Sequence, residues 1–126
     1  MIACAKHFLG YAQTEAGQNM AAVAVGPREL HDVYAWPFGA AIRLAGLGGV
    51  MASYSEYKGV PIHISRANLT DLLRGRLGFT GTVVSDHNGI GWDQRSGPRV
   101  PLRRTHQCMH ESLAARADLH GPARAK

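Results

Sequence analysis

One carboxylate, Asp86, lies just after a short β-branched segment of this sequence. Thr82, Val83 and Val84 are typical of a buried strand in a parallel sheet, and Ser85 separates them from Asp86. A carboxylate at the end of a buried strand is costly unless its charge is used, and in barrel enzymes the carboxyl ends of the strands form the active face. Asp86 is therefore our lead catalytic candidate. The alternative is an aspartate that caps a helix or a turn.

Polar side chains also close two earlier segments that we expect to be strands. Lys6 and His7 come at the end of the first, and Ser53 and Tyr54 follow Met51 at the end of the second. Because the carboxyl ends of parallel strands meet at one edge of a sheet, these side chains are predicted to form a site together. The alternatives are an ordinary polar strand end for Lys6 and His7, a half-buried aromatic for Tyr54 and a core position for Met51.

The hydrophobic pattern predicts five elements that would position these side chains. In chain order they are a strand, a helix, a strand, a helix and a strand, at 2–8, 27–45, 50–54, about 65–77 and 82–85. Pro37 predicts a kink or a break near Trp36, and Ser65 is a candidate cap for the second helix, whose predicted buried stripe is Leu69, Leu72, Leu73 and Leu77. Strands that alternate with helices indicate an α/β fold with a parallel sheet, and the segments 9–22 and 55–61 are expected to be loops, the second with a turn at Lys58-Gly59. Three strands cannot close a barrel, so residues 1–90 look like an internal slice of a larger structure.

Length and composition indicate one small domain. The chain has 126 residues, of which 45% are hydrophobic, and no apolar run approaches the roughly 20 residues needed to span a membrane. The first residues lack the pattern of a signal peptide, so a cytoplasmic location is expected by default. Cys4 and Cys108 are too few and too far apart to suggest a disulfide framework or a metal site. We expect free thiols, no metal and no cofactor.

The positive charge of the chain is concentrated after residue 90. Residues 1–90 hold 7 Lys and Arg against 6 Asp and Glu, a net charge of +1, whereas residues 91–126 hold 7 against 3, a net charge of +4. This irregular tail contains Pro98 and Pro101, and Trp92 is its one aromatic residue, so nucleic-acid binding is not expected. The abrupt change in composition suggests the hypothesis that residues 91–126 are a frameshifted segment without a function of its own.

Short motifs along the first 90 residues resemble the family-3 glycoside hydrolases, and in particular the bacterial β-glucosidases and β-xylosidases. In order they are Lys6-His7-Phe8, Gly10-Tyr11, Gly17 with Asn19, Arg28-Glu29-Leu30, Pro37-Phe38, Val50-Met51, Ser53-Tyr54, Gly59-Val60-Pro61, the segment 69–74, Leu77-Gly78-Phe79 with Gly81, and Val83-Val84-Ser85-Asp86. Each motif is weak alone, but so many at the right spacing are specific.

The resemblance implies a fold, an activity and roles for the candidate residues. The fold would be part of a (β/α)8 barrel, about three consecutive βα units, and the activity would be retaining hydrolysis of a β-linked glycoside. Asp86 would be the nucleophile, Lys6 and His7 would bind sugar hydroxyls, and Tyr54 and Met51 would lie beside the nucleophile in the same subsite. A second carboxyl group about 5–5.5 Å from Asp86 would protonate the leaving oxygen.

The sequence also departs from the family pattern. The β-N-acetylglucosaminidase branch of the family carries an Asp-Ser-His loop. This sequence contains no such triplet, which argues against its membership of that branch. In glucosidase-type members the acid/base is a Glu of a second domain, and we do not assign that role to Glu111, which lies in the tail. We therefore expect a fragment that is inactive alone, with a β-linked glycoside as its ligand and neither nucleic acid nor membrane as a partner. The alternative is a non-catalytic sugar-binding or interaction module with a basic tail.

Overall fold

The computed structural model describes residues 1–89. The predictions about Cys108, about Glu111 and about the basic tail at 91–126 lie outside the described residues. In the part of the chain that the structure describes, no helix is long and apolar enough to cross a membrane.

A parallel three-stranded sheet forms the centre of the molecule, as the alternation of strands and helices predicted. Its strands are β1 (Cys4–Phe8), β2 (Gly49–Ala52) and β5 (Thr82–Ser85), in the spatial order β1-β2-β5. Both pairings are parallel, and Val50 of β2 lies between Ala5 and Val83. Strand β2 ends at Ala52, so Ser53 and Tyr54 lie just beyond the strand rather than within it.

The first crossover is helical over the predicted range, but its geometry changes along its length. It comprises α1 (Pro27–Glu29), a π-helical segment (Leu30–Ala35) and α2 (Trp36–Ala45). The predicted break near Trp36 takes the form of this change from π-helical to α-helical turns. Pro37 lies in the first turn of α2, where its missing N–H removes no α-helical hydrogen bond.

The second crossover contains a small hairpin where the sequence predicted only a loop. Strands β3 (Glu56–Tyr57) and β4 (Val60–Pro61) pair in antiparallel fashion across Lys58 and Gly59, which both have positive φ angles, of 53° and 74°. Two such residues form the two-residue turn that matches the twist of a hairpin. The sequence indicated the Lys58-Gly59 turn, but not the pairing of the two short strands beside it.

The second helix is a π-helix over Ala67–Arg76, preceded by a 3-10 turn at Ile62–Ile64. The Ser65 side-chain oxygen accepts a hydrogen bond from the backbone N–H of Asn68 at 3.3 Å, which agrees with its predicted role as a cap. Of the predicted leucine stripe, Leu69, Leu72 and Leu73 are buried and Leu77 is partly buried.

One hydrophobic core holds the two helices against the sheet. Phe8 and Phe38 meet edge to face with their ring centroids 5.0 Å apart, which joins β1 to α2. The other fully or nearly fully buried apolar residues are Leu9, Val23, Leu30, Ala35, Val50, Ala52, Ile62, Leu69, Leu72, Leu73 and Phe79. Because residues from every sheet strand or its flanks contribute, the core fixes the positions of the three strand ends.

Truncation of a core leucine is expected to destabilise the protein. Leu73 is completely buried, so Leu73→Ala should lower the free energy of unfolding by about 2–5 kcal/mol, through lost burial and the cavity that remains. The matched control is Leu44→Ala, because the Leu44 side chain is 86% exposed and its loss should change stability by less than about 0.5 kcal/mol. Urea unfolding monitored by circular dichroism measures both variants, and equal effects would contradict the assignment of the core.

Candidate functional site

Two of the predicted site residues meet directly at the carboxyl edge of the sheet. His7 Nε2 of β1 lies 3.2 Å from Asp86 Oδ2, which follows β5, and the two side chains are 20% and 17% exposed. Strands β1 and β5 do not pair with each other, because β2 lies between them. The contact therefore passes over the end of β2 and forms one side of a polar site.

Contacts to both oxygens orient the Asp86 carboxylate. Oδ1 accepts a hydrogen bond from the backbone N–H of His87 at 2.7 Å, and Oδ2 faces His7. The backbone N–H of Gly89 donates to the Asp86 carbonyl oxygen at 3.0 Å, which forms a tight turn after the strand. The carboxylate is thus held on a short, hydrogen-bonded turn while its edge stays accessible.

Tyr54 reaches the same turn from the end of β2. Its hydroxyl donates a hydrogen bond to the backbone carbonyl oxygen of His87, and the Asp86 carboxylate is close enough to interact with the same hydroxyl. Partial burial raises the pKa of the Tyr54 hydroxyl, and the nearby charge of Asp86 raises it further. Tyr54 therefore stays protonated at neutral pH and remains a donor that holds the turn.

Lys6 and Met51, the other two predicted binding residues, lie in β1 and β2. Lys6 is exposed, and none of the ion pairs among residues 1–89 involves it. Met51 is half-buried within β2, opposite Val84 of β5. The peptide bonds Lys6–His7 and Phe8–Leu9 are cis. Of the five predicted site residues, the structure brings His7, Tyr54 and Asp86 together, and the roles of Lys6 and Met51 stay predictions.

Tyr11 supports His7 from the loop that follows β1. The two rings lie with centroids 4.7 Å apart, and the Tyr11 hydroxyl donates to Asn19 Oδ1 at 2.7 Å. Tyr11 and Asn19 both belong to the short motifs of the sequence. Their residue types alone did not predict that they would support the His7 imidazole.

His63 is a residue of this region that the sequence analysis missed. It lies in the 3-10 turn Ile62–Ile64, is only 7% exposed, and its ring centroid is 6.0 Å from that of Tyr54. Its Nε2 has no hydrogen-bond partner among residues 1–89. Burial lowers the pKa of His63, and the negative charge of Asp86 partly opposes that effect. A single histidine between two isoleucines has no spacing that distinguishes it from a core residue.

Gly89 packs directly on the His63 ring. A Cβ atom at position 89 would lie 2.8 Å from His63 Cε1 and 3.0 Å from Cδ2, and closer still to Nε2. The turn that carries Asp86 therefore lies between Tyr54, which binds its His87 carbonyl, and His63, which contacts it at Gly89. No group of three or more His, Cys, Asp and Glu side chains that could hold a metal ion occurs among residues 1–89.

Because Gly89 packs on the His63 ring, we expect even the methyl group of an alanine at position 89 to destabilise the folded protein. Gly89→Ala should lower the free energy of unfolding by about 1–3 kcal/mol, because the added methyl group overpacks the ring. Gly26→Ala is the matched control, since a Cβ there meets no atom within 4 Å. The double variant Gly89→Ala/His63→Ala should be less destabilised than the sum of the single variants, and strict additivity in urea unfolding would contradict the contact.

The lowered pKa of His63 predicts a pH dependence of stability. The unfolded chain binds a proton at this residue near pH 6.5, whereas the folded protein binds it only at lower pH. Stability is therefore complete above pH 6.5 and falls as the pH is lowered below it, by at most about 1.4 kcal/mol per pH unit.

Urea unfolding of the His63→Asn variant between pH 5 and 7 measures this effect. The variant should lose part of the slope of unfolding free energy against pH, because its unfolded chain no longer takes up a proton at position 63. An unchanged slope in His63→Asn would show that its titration does not differ between the folded and unfolded states.

Comparison with known proteins places this chain in a family. The model of the glycosyl hydrolase family 3 N-terminal domain matches residues 1–119. A beta-xylosidase of Formosa agariphila is 44% identical over 91 residues, which are 72% of this chain and 13% of that protein. The lysosomal beta glucosidase of Dictyostelium discoideum is 37% identical over 89 residues, which are 71% of this chain and 11% of that protein. The chain thus spans roughly an eighth of the length of these relatives, and the predicted division at residue 91 stays a prediction.

Solved structures resemble the chain as well. The beta-glucosidase of Listeria innocua, in a mutant form in complex with laminaribiose, superposes with a TM-score of 0.78 at 30% identity, over 89% of this chain and 15% of the enzyme. A β-glucosidase of Erythrobacter marinus superposes with a TM-score of 0.70 at 44% identity, over 72% of this chain and 12% of that one. The family model matches most of this chain, as residues 1–119 show. The chain therefore belongs to glycoside hydrolase family 3, as part of the N-terminal domain.

Proposed function

We propose that this chain is part of a retaining β-glycosidase that acts on β-glucosides or β-xylosides, with Asp86 as the nucleophile. The observation that carries the proposal is the Asp86 carboxylate at the carboxyl edge of a parallel sheet, held by His7 Nε2 at 3.2 Å and by the His87 N–H at 2.7 Å. The names of the relatives, a beta-xylosidase and beta-glucosidases, support the substrate class.

The surrounding fold is proposed to be three consecutive βα units of a (β/α)8 barrel. Strands β1 and β5 are the outer strands of the described sheet, and within residues 1–89 no strand pairs with their free edges. Unpaired strand edges favour further pairing, and closure into a barrel removes them. In such a barrel the active site lies at the carboxyl ends of the strands, where His7 and Asp86 meet.

In the proposed reaction a carboxylate oxygen of Asp86 attacks the anomeric carbon while the bond from that carbon to the leaving oxygen breaks. Water then attacks the same carbon and releases the sugar and the Asp86 carboxylate. His7 would orient the carboxylate and contact a sugar hydroxyl, Lys6 would donate to further hydroxyls, and Met51 would line the subsite. Tyr54 would fix the turn that carries the nucleophile by its hydrogen bond to the His87 carbonyl.

The general acid is proposed to lie outside the described residues. In the glucosidase-type pattern this group is a Glu of a second domain, and within residues 1–89 the Asp86 carboxylate contacts His7 and the His87 N–H. We therefore expect this chain alone to be inactive on glycosides whose leaving group must receive a proton. A test of the nucleophile consequently needs a leaving group that departs as an anion.

The test uses dinitrophenyl 2-deoxy-2-fluoro-β-glucoside and the matching xyloside on the 126-residue chain. Attack by Asp86 releases dinitrophenolate without a proton and leaves the fluorosugar on the carboxylate as a stable ester, because the fluorine slows its hydrolysis. We expect one equivalent of dinitrophenolate and one added sugar mass on the peptide that contains Asp86. The sugar that labels faster identifies the preferred substrate.

Two variants act as controls for the labelling. Asp86→Ala should lower the labelling rate by about 10³-fold or more, whereas Asp71→Asn, at an exposed carboxylate paired with Arg66, should label like the unmodified chain. Label on another residue would refute Asp86 as the nucleophile. Saturable glucose or xylose binding by a folded chain that is never labelled would instead support the non-catalytic sugar-binding module.

A further inference from the structure

A polar cleft lies between the two crossover helices, away from the strand ends that carry Asp86. It has a volume of about 180 Å³ and opens to solvent. Its lining comes from the helical segments and the residue that follows them: His31, Asp32, Ala35, Trp36, Gly39, Arg43, Leu72, Arg76 and Leu77. None of these residues belongs to the site at Asp86, so the cleft has no part in the proposed glycosidase reaction.

Arg76 is held in this cleft by His31. Arg76 Nη1 lies 2.7 Å from His31 Nδ1, across the boundary between the two crossover helices. A guanidinium group can only donate, so Nδ1 accepts and His31 in this contact is the neutral tautomer with its proton on Nε2. The contact fixes the direction of Arg76 without neutralising its charge.

Arg43 lies along α2 because position 39 is a glycine. A Cβ atom at Gly39 would be 3.2 Å from Arg43 Nη1 and 3.3 Å from Leu77 Cδ2. The Arg43 guanidinium group therefore occupies space that a side chain at position 39 would partly fill. The Leu77 side chain lies beside it. The two arginines reach the cleft from different helices.

The two arginines of the cleft have no direct carboxylate partner among the described residues. Within residues 1–89 neither Arg43 nor Arg76 takes part in an ion pair. Asp32, the one acidic residue of the lining, pairs with Arg28 at 3.4 Å. Trp36, also in the lining, is 63% exposed. Two oriented guanidinium groups without counter-ions favour an oxyanion, and an exposed indole favours a flat or ring-shaped group beside it.

We propose that this cleft binds an oxyanion, a phosphate, sulfate or carboxylate group, between Arg43 and Arg76, with Trp36 packed against the group that carries it. The volume supports a small ligand, because pockets for drug-sized molecules are about 300–1,000 Å³. His31 would contribute its Nε2 proton as a further donor.

The test is an NMR titration of the 15N-labelled 126-residue chain with inorganic phosphate, sulfate, glucuronate and, as the neutral comparison, glucose. The Trp36 indole N–H signal is assigned from the Trp36→Phe variant, since the sequence also contains Trp92. We expect saturable shifts of the Trp36 indole and of the Arg43 and Arg76 side-chain N–H signals with the anions and none with glucose. Tighter binding of glucuronate indicates a sugar-borne carboxylate, and tighter binding of phosphate or sulfate indicates a tetrahedral anion.

Three variants make the titration specific. Arg43→Ala and Arg76→Ala should each weaken anion binding by about tenfold, the loss of a charge-assisted hydrogen bond. Arg66→Ala removes one charge at an exposed arginine outside the cleft and should leave the affinity unchanged. Absence of saturable shifts with every anion, or an equal loss in Arg66→Ala, would overturn the proposal. Labelling of Asp86 is measured separately, so this failure would leave the glycosidase proposal unaffected.

Discussion

The parallel pairing of β2 with both of its neighbours is the constraint on which the site depends. Val50 lies between Ala5 and Val83, and Ala52 pairs with Phe8 on one side and Ser85 on the other. This register brings the ends of β1 and β5 level with each other, two strand positions apart. His7 lies in the part of β1 between Ala5 and Phe8 where the register with β2 shifts, and from there its side chain spans the distance across β2 to Asp86.

The turn after β5 is held by neighbours that differ in chemistry. Tyr54 supplies a hydrogen bond to its backbone, whereas His63 supplies a packed, neutral ring against Gly89. Burial that keeps the His63 ring neutral also keeps a second positive charge away from the Asp86 carboxylate. Among residues 1–89, the imidazole in contact with that carboxylate is then that of His7.

The two crossover helices have a buried apolar face and an outer surface that faces solvent. Their apolar faces, which include Leu30, Leu69 and Leu73, are buried against the sheet and hold the strand ends in place. The boundary between their outer surfaces contains arginines whose charge no carboxylate of residues 1–89 neutralises. The helices thus combine a buried apolar face that supports the sheet with an outer surface on which charged side chains lie in solvent.

The sequence by itself determined the order of elements, the parallel α/β sheet, the leucine stripe of the second helix and the position of Asp86 after the last strand. These features are local: hydrophobic period, β-branched runs, a capping serine and a proline are read within a few residues of the chain. The predicted convergence of polar strand ends followed from the rule that parallel strands share one carboxyl edge. Short motifs were sufficient to indicate the family, which the match over residues 1–119 confirmed.

Only the tertiary structure decided which of these side chains meet. His7 contacts Asp86, Tyr54 binds the His87 carbonyl, and His63 packs against Gly89. The hairpin β3–β4 and the cleft between Arg43 and Arg76 also became visible only in three dimensions. Most of these contacts join residues that are far apart in the chain, and each depends on strand register and on the path of a turn to within about an ångström. A pattern of residue types records neither quantity, because the same pattern is compatible with many such paths.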